Sequence, residues 1–188
     1  FPDYSYFKGI YLFPVEYIED FIFQNIIFTG DFKMNNLKIV GAYTFENSNF
    51  SGSLSLPVCV EIGEYAFRNS LFNGSLNLPV CTQIGDSAFR SSNFSGSLNL
   101  PVCVEIGKRA FQNSLFNGEV NLPACTQIGE YAFGNSNFTK ITIGANAVLE
   151  NYCIGAHSTE FIQDYAANGK LAGTYVWDEV SGHWIYQN

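Results

Sequence analysis

Polar and apolar residues alternate in one short stretch of this chain, and the stretch recurs at a fixed interval. The copy from Ser95 to Phe111 reads SGSLNLPVCVEIGKRAF, in which Leu98 and Leu100 alternate with polar neighbours. A period of two residues is typical of a β-strand with one buried face. Pro101 follows at once and ends the strand, because proline has no N–H to donate to a neighbouring strand. We therefore predict a short strand over Ser97–Leu100 and at the equivalent place in each copy.

The remainder of the copy predicts a coil that returns to its starting point. Apolar side chains recur at 102, 104 and 106, and Gly107 suits a bend that a side chain would obstruct. Asn113 can close the following turn with a local hydrogen bond to the backbone. Six apolar positions are expected to stack on their equivalents one coil away, at the spacing of about 4.8 Å between adjacent strands. These are Leu98, Leu100, Ile106, Ala110, Phe111 and Phe116.

Cysteine, glycine and phenylalanine return every 22 residues. A fixed period in the twenties is the signature of a solenoid, in which each coil buries its apolar face only against its neighbours. Val60-Glu61 also alternates with Thr82-Gln83, which predicts that a unit of two coils was duplicated as a block. The cysteine column is Cys59, Cys81, Cys103 and Cys125, and the phenylalanine column is Phe23, Phe45, Phe67, Phe89, Phe111 and Phe133. The sequence therefore predicts a mainly β and irregular solenoid of 22-residue coils.

Both ends of the chain depart from the repeat, as the exposed end coils of a solenoid require. Residues 1–29 are rich in aromatic residues and isoleucine and lack the cysteine, which indicates an N-terminal capping coil. The solenoid is expected over 30–155, and a C-terminal cap over 156–188. The chain begins at Phe1 without a methionine or a signal peptide, which indicates a processed protein or an excised fragment.

The C-terminal cap is expected to contain one short helix and one hairpin. Ser158 stands where it can cap a helix over 159–168, and Gly169 follows the expected end of that helix. Residues 174–178 and 183–186 then have the composition of two strands joined by a tight turn.

Composition and charge exclude several classes of partner. Hydrophobic residues make up 47% of the chain, which is ample for a continuous core, and charged residues only 14%. The net charge of −8 argues against nucleic acid and anionic membranes, since both attract lysine and arginine. No apolar run approaches the roughly 18 residues of a membrane-spanning helix.

The cysteine column does not predict a metal site. One cysteine per coil, each pointing the same way, cannot converge on a zinc ion. Disulfides between neighbouring coils are harder to exclude, because the coil spacing of about 4.8 Å falls inside the range of Cα separations that they tolerate. Parallel side chains are nevertheless poorly oriented for a disulfide, so we predict buried free thiols that act as small apolar residues. Cys153 is out of register with the column.

Nothing in the sequence indicates an enzyme or a cofactor. The two histidines, His157 and His183, both lie in the expected C-terminal cap, and neither belongs to a recognisable nucleophile–base arrangement. Catalysis needs one unique site, which a translational repeat does not supply.

The pattern L-x-L-P-x-C-x-x-I-G-x-x-A-F resembles the BspA-like leucine-rich repeats of bacterial surface proteins, also called the Treponema-type class. The resemblance covers 30–139, extends less closely over 8–29, and includes the motif Y-x-x-N-G-K-x-A-G-T-Y at 165–175. It implies a right-handed solenoid with a parallel β ladder on one face. It also implies secretion or display at a bacterial surface and adhesion to proteins or other cells, and it supplies no catalytic residues.

The outward positions of the repeated strand form a ladder of small polar side chains that an extended partner could contact. Its members are Ser53, Ser55, Ser75, Asn77, Ser97, Asn99, Glu119 and Asn121. The alternative is a solvated face whose side chains are small so that the coils can curve. A second column at 43, 65, 87, 109 and 131 contains three tyrosines, which could anchor a partner or pack along that side of the solenoid.

We therefore expect a non-catalytic module for protein interaction or cell adhesion, with an extracellular protein or glycan as its partner. One alternative is a structural spacer that presents another domain. Another is a glycan-binding module in which Trp177, His183 and Trp184 of the hairpin form the site, because exposed indoles stack on sugar rings. Buried indoles would instead indicate a cap.

Overall fold

Each turn of the chain places short strands on two sides of a shared apolar core. The structure, a computed structural model, describes residues 15–187. The strands in this range are β1 Tyr17–Ile18, β2 Phe32–Lys33, β3 Ile39–Val40, β4 Leu54–Ser55, β5 Glu61–Ile62, β6 Leu76–Asn77, β7 Gln83–Ile84, β8 Ser95–Asn99, β9 Glu105–Ile106, β10 Leu115–Leu122, β11 Gln127–Ile128, β12 Lys140–Ile143, β13 Val148–Leu149, β14 Gly173–Asp178 and β15 His183–Gln187, and the helix α1 is Ser158–Ala167. The predicted N-terminal capping coil over 1–29 lies partly outside the described residues.

Parallel pairing between successive coils builds three sheets. The odd-numbered strands from β1 to β13 form a seven-stranded sheet in chain order, with Glu61 opposite Gln83 as one example of the register. Elsewhere in the coils, β2, β4 and β6 form a three-stranded sheet. The strands β8, β10 and β12 continue into the antiparallel pair β14 and β15, which makes a sheet of five strands. The predicted mainly β solenoid with a C-terminal helix and hairpin is confirmed.

Two parallel columns of phenylalanine fill the core. In the first, Phe67, Phe89 and Phe111 stack with centroids 5.4 and 5.2 Å apart. In the second, Phe72 and Phe94 stack at 5.3 Å, and the two columns meet edge to face, as Phe89 and Phe94 do at 5.9 Å. The six positions predicted to stack are all at most 1% exposed, which confirms that they belong to the core. They are Leu98, Leu100, Ile106, Ala110, Phe111 and Phe116.

Two of the three alternating apolar side chains after the proline do not point into the core. Val102 and Val104 are 41% and 44% exposed, whereas Cys103 is fully buried. The chain turns at Pro101 and Val102, where the Cys103 N–H donates to the Leu100 carbonyl at 3.3 Å. Because the chain turns here, the side chain that points into the core is that of Cys103 and not those of the two valines.

Gly107 is required by the approach of the neighbouring coil. A Cβ atom at this position would lie 2.6 Å from the Asp86 nitrogen and 2.7 Å from the carbonyl carbon of Gly85. Contacts this short involve backbone atoms that the strand pairing holds in place, so a side chain cannot be accommodated without separating the coils.

The turn after Gly107 and its equivalents contains two residues in the left-handed conformation. Tyr43, Tyr65 and Tyr131 have φ values of 55–56°. A bulky residue rarely adopts this conformation, and each instance costs on the order of 1–3 kcal/mol. Bonds between coils hold it, since the Tyr43 N–H donates to the Glu64 carbonyl at 2.8 Å. The second left-handed column consists of asparagines, which tolerate the conformation better, and one serine: Asn25, Asn47, Asn69, Ser91, Asn113 and Asn135.

The last coil is one residue shorter than the others. Leu149 pairs with Ile128, and the Cys153 carbonyl accepts the Phe133 N–H at 2.9 Å. In the preceding coil the Ala132 carbonyl accepts the Phe111 N–H in the same way. Cys153 therefore occupies the alanine position of the repeat, which explains why it is out of register with the other cysteines.

The prediction that Ser158 caps the helix is wrong. The residue before α1 is His157, with φ 57°, and no side chain in the described part of the chain caps the helix. Ser158 is the first helical residue, and its buried hydroxyl accepts the Ile154 N–H at 3.3 Å. The helix is held on the last coil by Tyr165, whose hydroxyl donates to the Gly144 carbonyl at 2.7 Å.

Candidate interaction surfaces

The eight ladder residues all reach solvent on the outer side of strands β4, β6, β8 and β10 or immediately before them. None of them is buried, and they alternate with buried side chains such as Leu54, Leu98 and Val120. The strand pleat accounts for this arrangement, because successive side chains point to opposite faces. The structure therefore presents the predicted ladder as a surface, and we call this surface the ladder face.

The asparagines of the ladder face bond from coil to coil. The Asn77 amide donates to the Ser55 hydroxyl at 3.1 Å, and the Asn121 amide donates to Asn99 Oδ1 at 2.7 Å. Within the described residues, Asn77 Oδ1, Asn99 Nδ2 and Asn121 Oδ1 make no hydrogen bond. Each of these side chains thus keeps one acceptor or donor group that can face a partner.

Two serines of the ladder face accept hydrogen bonds from the backbone of the next coil. The Ser53 hydroxyl accepts the Ser75 N–H at 3.1 Å, and the Ser97 hydroxyl accepts the Glu119 N–H at 3.1 Å. These bonds fix the start of the next strand. Glu119 is further engaged by Lys140, whose ammonium group lies 3.1 Å from its carboxylate. Serine at these positions therefore has a structural explanation that sequence reasoning did not supply.

The ladder face is interrupted between Asn77 and Ser97. Strand β6 belongs to the three-stranded sheet, whereas β8 belongs to the five-stranded one. β8 begins early, at Ser95, and its register with β10 shifts between Phe116 and Val120. Gly96 adopts φ 73° at this irregularity. The eight residues consequently form two separate groups, 53–77 and 97–121.

The C-terminal hairpin extends the second group. β14 pairs antiparallel with β12, and the hydroxyls of Thr142 and Thr174 lie 2.8 Å apart. The polar surface of the ladder face therefore continues onto the hairpin. The sequence predicted the hairpin but gave no signal for the sheet that it joins.

The tyrosine column is packed ring on ring. Tyr43 stacks between Phe21 and Tyr65, with both centroid distances at 4.8 Å, and Tyr131 stacks on Tyr152 at 5.1 Å. The arrangement favours packing along this side of the solenoid over a set of separate anchors. Tyr152, at the end of the column, remains 53% exposed.

The cysteine column is buried, as predicted. All five cysteines in the described residues are free and fully buried. Burial raises the pKa of the Cys59 and Cys125 thiols to about 11 and that of Cys81 to about 12. Each of these thiols also contacts the carbonyl two residues later, at 3.2 Å for Cys59. A protonated, apolar thiol of this kind fills space and is a poor nucleophile.

The hairpin tryptophans are parts of the cap. Trp184 is 3% exposed, and its indole N–H donates to the His157 carbonyl at 3.1 Å. Trp177 is partly buried and stacks on the His157 ring at 3.7 Å. His183 pairs with Asp164 at 3.0 Å. This packing removes the basis for a sugar site on exposed indoles and favours the capping interpretation.

Two further features of residues 15–187 bear on function. No group of three or more histidine, cysteine or acidic side chains in this range is arranged to hold a metal ion. None of its helices combines the length and the apolar character that crossing a membrane requires.

Comparison with protein families gives a match to a repeat family. The family model described as the BspA type Leucine rich repeat region matches six copies, over residues 8–115 and 38–160. Comparisons with curated proteins and with solved structures gave no match.

Proposed function

This chain belongs to the BspA-type leucine-rich repeat family, and we propose that it is a non-catalytic adhesion module that binds an extracellular protein through the ladder face. The family resemblance supports a repeat module for protein interaction. Display at a bacterial surface or secretion is part of the same proposal.

The observation that carries the proposal is the set of unused amide groups on the ladder face. Asn77, Asn99 and Asn121 occur at the same outward position of successive coils, and each leaves one donor or acceptor without a partner in the described residues. An extended segment of a partner protein can pair with Asn99 and Asn121 in one group and reach Asn77 in the other across the interruption, because its own polar groups also recur along its length.

Contacts of this kind are individually weak. A single hydrogen bond contributes a net of about 0.5–1.5 kcal/mol, and exposed side chains also lose conformational freedom on binding. Firm attachment would then require many copies of the module, so that several weak contacts act together.

The test is a binding screen followed by substitution. Extracellular-matrix and serum proteins are screened against the chain displayed in many copies on beads. Single Asn→Ala changes at 77, 99 and 121 should weaken binding slightly, and the triple variant should weaken it clearly without a lower melting temperature. A matched control replaces Thr82 and Thr126, which are exposed near the seven-stranded sheet, and should bind normally.

Two results would contradict the proposal. If the triple variant binds as well as the parent, the ladder face is not the contact surface. If no extracellular protein binds the multivalent chain, a spacer role is the better explanation.

A further inference from the structure

We propose that a cleft on the turn side of the last coils binds a short neutral saccharide. The cleft has a volume of ≈ 480 Å³, which falls within the range of small-molecule sites. None of its lining residues belongs to the ladder face, so the proposal is independent of the one above. Its lining includes Gln112, Tyr131, Gly134, Asn135, Asn137 and Tyr152.

The cleft exists because one column of side chains stops. The turn of each earlier coil carries a long polar residue at the same position: Gln24, Glu46, Arg68, Arg90 and Gln112. These side chains pack on one another, as Glu46 does when it accepts bonds from Gln24 at 2.6 Å and Arg68 at 3.2 Å. At the next position stands Gly134, which has no side chain, and Gly155 and Ala156 of the last coil also line the cleft.

Gln112 is left without a partner by this break. Its Oε1 atom is buried and accepts no hydrogen bond in the described part of the chain. A buried acceptor without a donor costs on the order of 1–3 kcal/mol. The nitrogen of the same amide, Nε2, lies on the cleft side, 3.5 Å from the position of a Cβ at residue 134. A half-turn of the amide would bring Oε1 to that side, where a ligand hydroxyl would donate to it and remove the cost.

A second acceptor arises at the end of the asparagine column. The Asn135 amide donates to Asn113 Oδ1 at 2.6 Å, which continues the direction of donation in the earlier coils. Among the described residues no further amide donates to Asn135, so its Oδ1 atom is free. The Asn137 side chain, which is exposed beside it, makes no hydrogen bond in the same range.

The aromatic wall supplies apolar contact. Tyr131 and Tyr152 stack at 5.1 Å with their planes 16° apart, and Tyr152 ends the column. Tyr152 lines the cleft and is 53% exposed, so part of its ring is available to a ligand. A tyrosine ring suits the C–H side of a sugar ring, because it combines an apolar ring with a polar hydroxyl.

These features select a neutral ligand rich in hydroxyl groups. No acidic or basic side chain of residues 15–187 lines the cleft, and the Arg109 guanidinium is engaged over the Tyr131 ring, 5.9 Å from its centroid, so an ionic ligand gains no direct charge partner. The free groups are the Asn135 oxygen, which needs a donor, and the whole Asn137 amide, which both donates and accepts; a sugar hydroxyl can do both. An extended peptide offers few hydroxyl donors and would pair better with a strand edge.

The experiment titrates the full chain with neutral sugars and follows binding by NMR. The probes are methyl glycosides of glucose, galactose, mannose and N-acetylglucosamine and their short oligomers. We expect dissociation constants of about 1 mM or below, with shifts of the side-chain amide signals of Gln112, Asn135 and Asn137. The proposal is wrong if none of these signals shifts with any of the probes at saturating concentration.

Two variants test the cleft directly. Gly134→Gln restores the long side chain of the column and should reduce affinity at least roughly tenfold. The added Cβ would lie 3.3 Å from Gln112 Cγ and from the Tyr131 carbonyl oxygen. A small shift of the Gln112 side chain relieves the first contact, and the second requires the turn backbone to move by a few tenths of an ångström. Tyr152→Ala should weaken binding to a similar extent, and it keeps the test valid if the glycine variant does not fold.

Matched controls separate the cleft from other surfaces. Tyr17→Ala removes a tyrosine of similar exposure, 49%, on β1, and Asn77→Ala alters the ladder face. Both should bind the sugar as the parent does. Sugar binding that survives both Gly134→Gln and Tyr152→Ala, or a cleft that binds an extended peptide and no sugar, contradicts the proposal.

Discussion

Replacing Phe89 by alanine measures how much of the stability of the solenoid lies in its stacked phenylalanines. Phe89 is fully buried. Its ring lies nearly parallel to those of Phe67 and Phe111, at 5.4 and 5.2 Å, and meets the edge of Phe94 at 5.9 Å. The substitution therefore removes one ring from the middle of a continuous column.

The expected loss is at the upper end of the usual range. Phe→Ala in a core costs about 3–5 kcal/mol, and each aromatic pair adds about 0.5–1.5 kcal/mol beyond the area that it buries. Neighbouring coils cannot close the gap, since backbone bonds on both sides fix their separation. The Phe67 N–H donates to Ala88 at 2.8 Å and the Phe89 N–H donates to Ala110 at 2.7 Å. We therefore expect a loss of about 5 kcal/mol.

Urea unfolding followed by circular dichroism gives the free energy. Because each coil contacts only its neighbours, a cavity in the middle should also broaden the transition or divide it into two steps. Asn99→Ala is the control. Its side chain is exposed, so the change should stay within about 0.5 kcal/mol. A Phe89→Ala variant that loses no more than Asn99→Ala would show that the column is not the source of stability.

Three further predictions concern the thiols, the glycine column and the duplicated unit. A thiol reagent should leave native protein unlabelled and label all five cysteines after unfolding, and rapid native labelling would contradict their burial. Unfolded thiols titrate near their ordinary pKa of 9.0, whereas burial raises the pKa of Cys59 to about 11. Between these two pH values the folded protein therefore binds more protons than the unfolded protein. The stability that the buried Cys59 thiol contributes is fully present below about pH 9 and is lost as the pH rises through about 11. The free energy of unfolding should therefore fall less steeply with pH in a Cys59→Ala variant. Gly107→Ala should destabilise by about 1–3 kcal/mol, because the new Cβ would lie 2.6 Å from the Asp86 nitrogen, and an unchanged urea midpoint would refute this. Deleting residues 52–95 removes one 44-residue unit in register, so the chain should fold and keep sugar binding while binding to the ladder partner weakens. A variant that does not fold, as followed by circular dichroism, would contradict the duplicated unit, and a folded variant with undiminished ladder binding would show that the deleted coils do not contact the partner.

The repeat period predicted most of the core correctly. A period of 22 residues places each leucine, phenylalanine and cysteine over its equivalent, so one inward position predicts a whole column. Alternation then separated Leu98 and Leu100 from Asn99, and the structure agrees, since both leucines are buried and Asn99 is exposed. These inferences succeeded because they depend on local pattern and translation alone.

The features that the sequence did not reveal depend on where the chain turns. Val102 and Val104 continue the apolar alternation in the sequence, yet the turn at Pro101 exposes both. The left-handed conformation of Tyr43 could not be inferred either, because tyrosine disfavours it and only the bonds from the next coil impose it. The interruption of the ladder face lies beside Gly96, which has a positive φ, and the equivalent glycines at 52, 74 and 118 do not, so the sequence contains no signal for it.

Repetition and its interruption give the two candidate surfaces different properties. A group that recurs in each coil, such as Asn99 and Asn121, has a bonded neighbour on one side, so its free capacity is limited and its contribution to binding is small. At the end of a column the neighbour is missing, and unsatisfied groups collect at one place. Gln112 Oε1 and Asn135 Oδ1 are both acceptors of this origin, and Gly134 opens the space beside them. A solenoid with equivalent coils should therefore gain strength of adhesion from the number of its coils and selectivity for small ligands from the coil at which the pattern breaks.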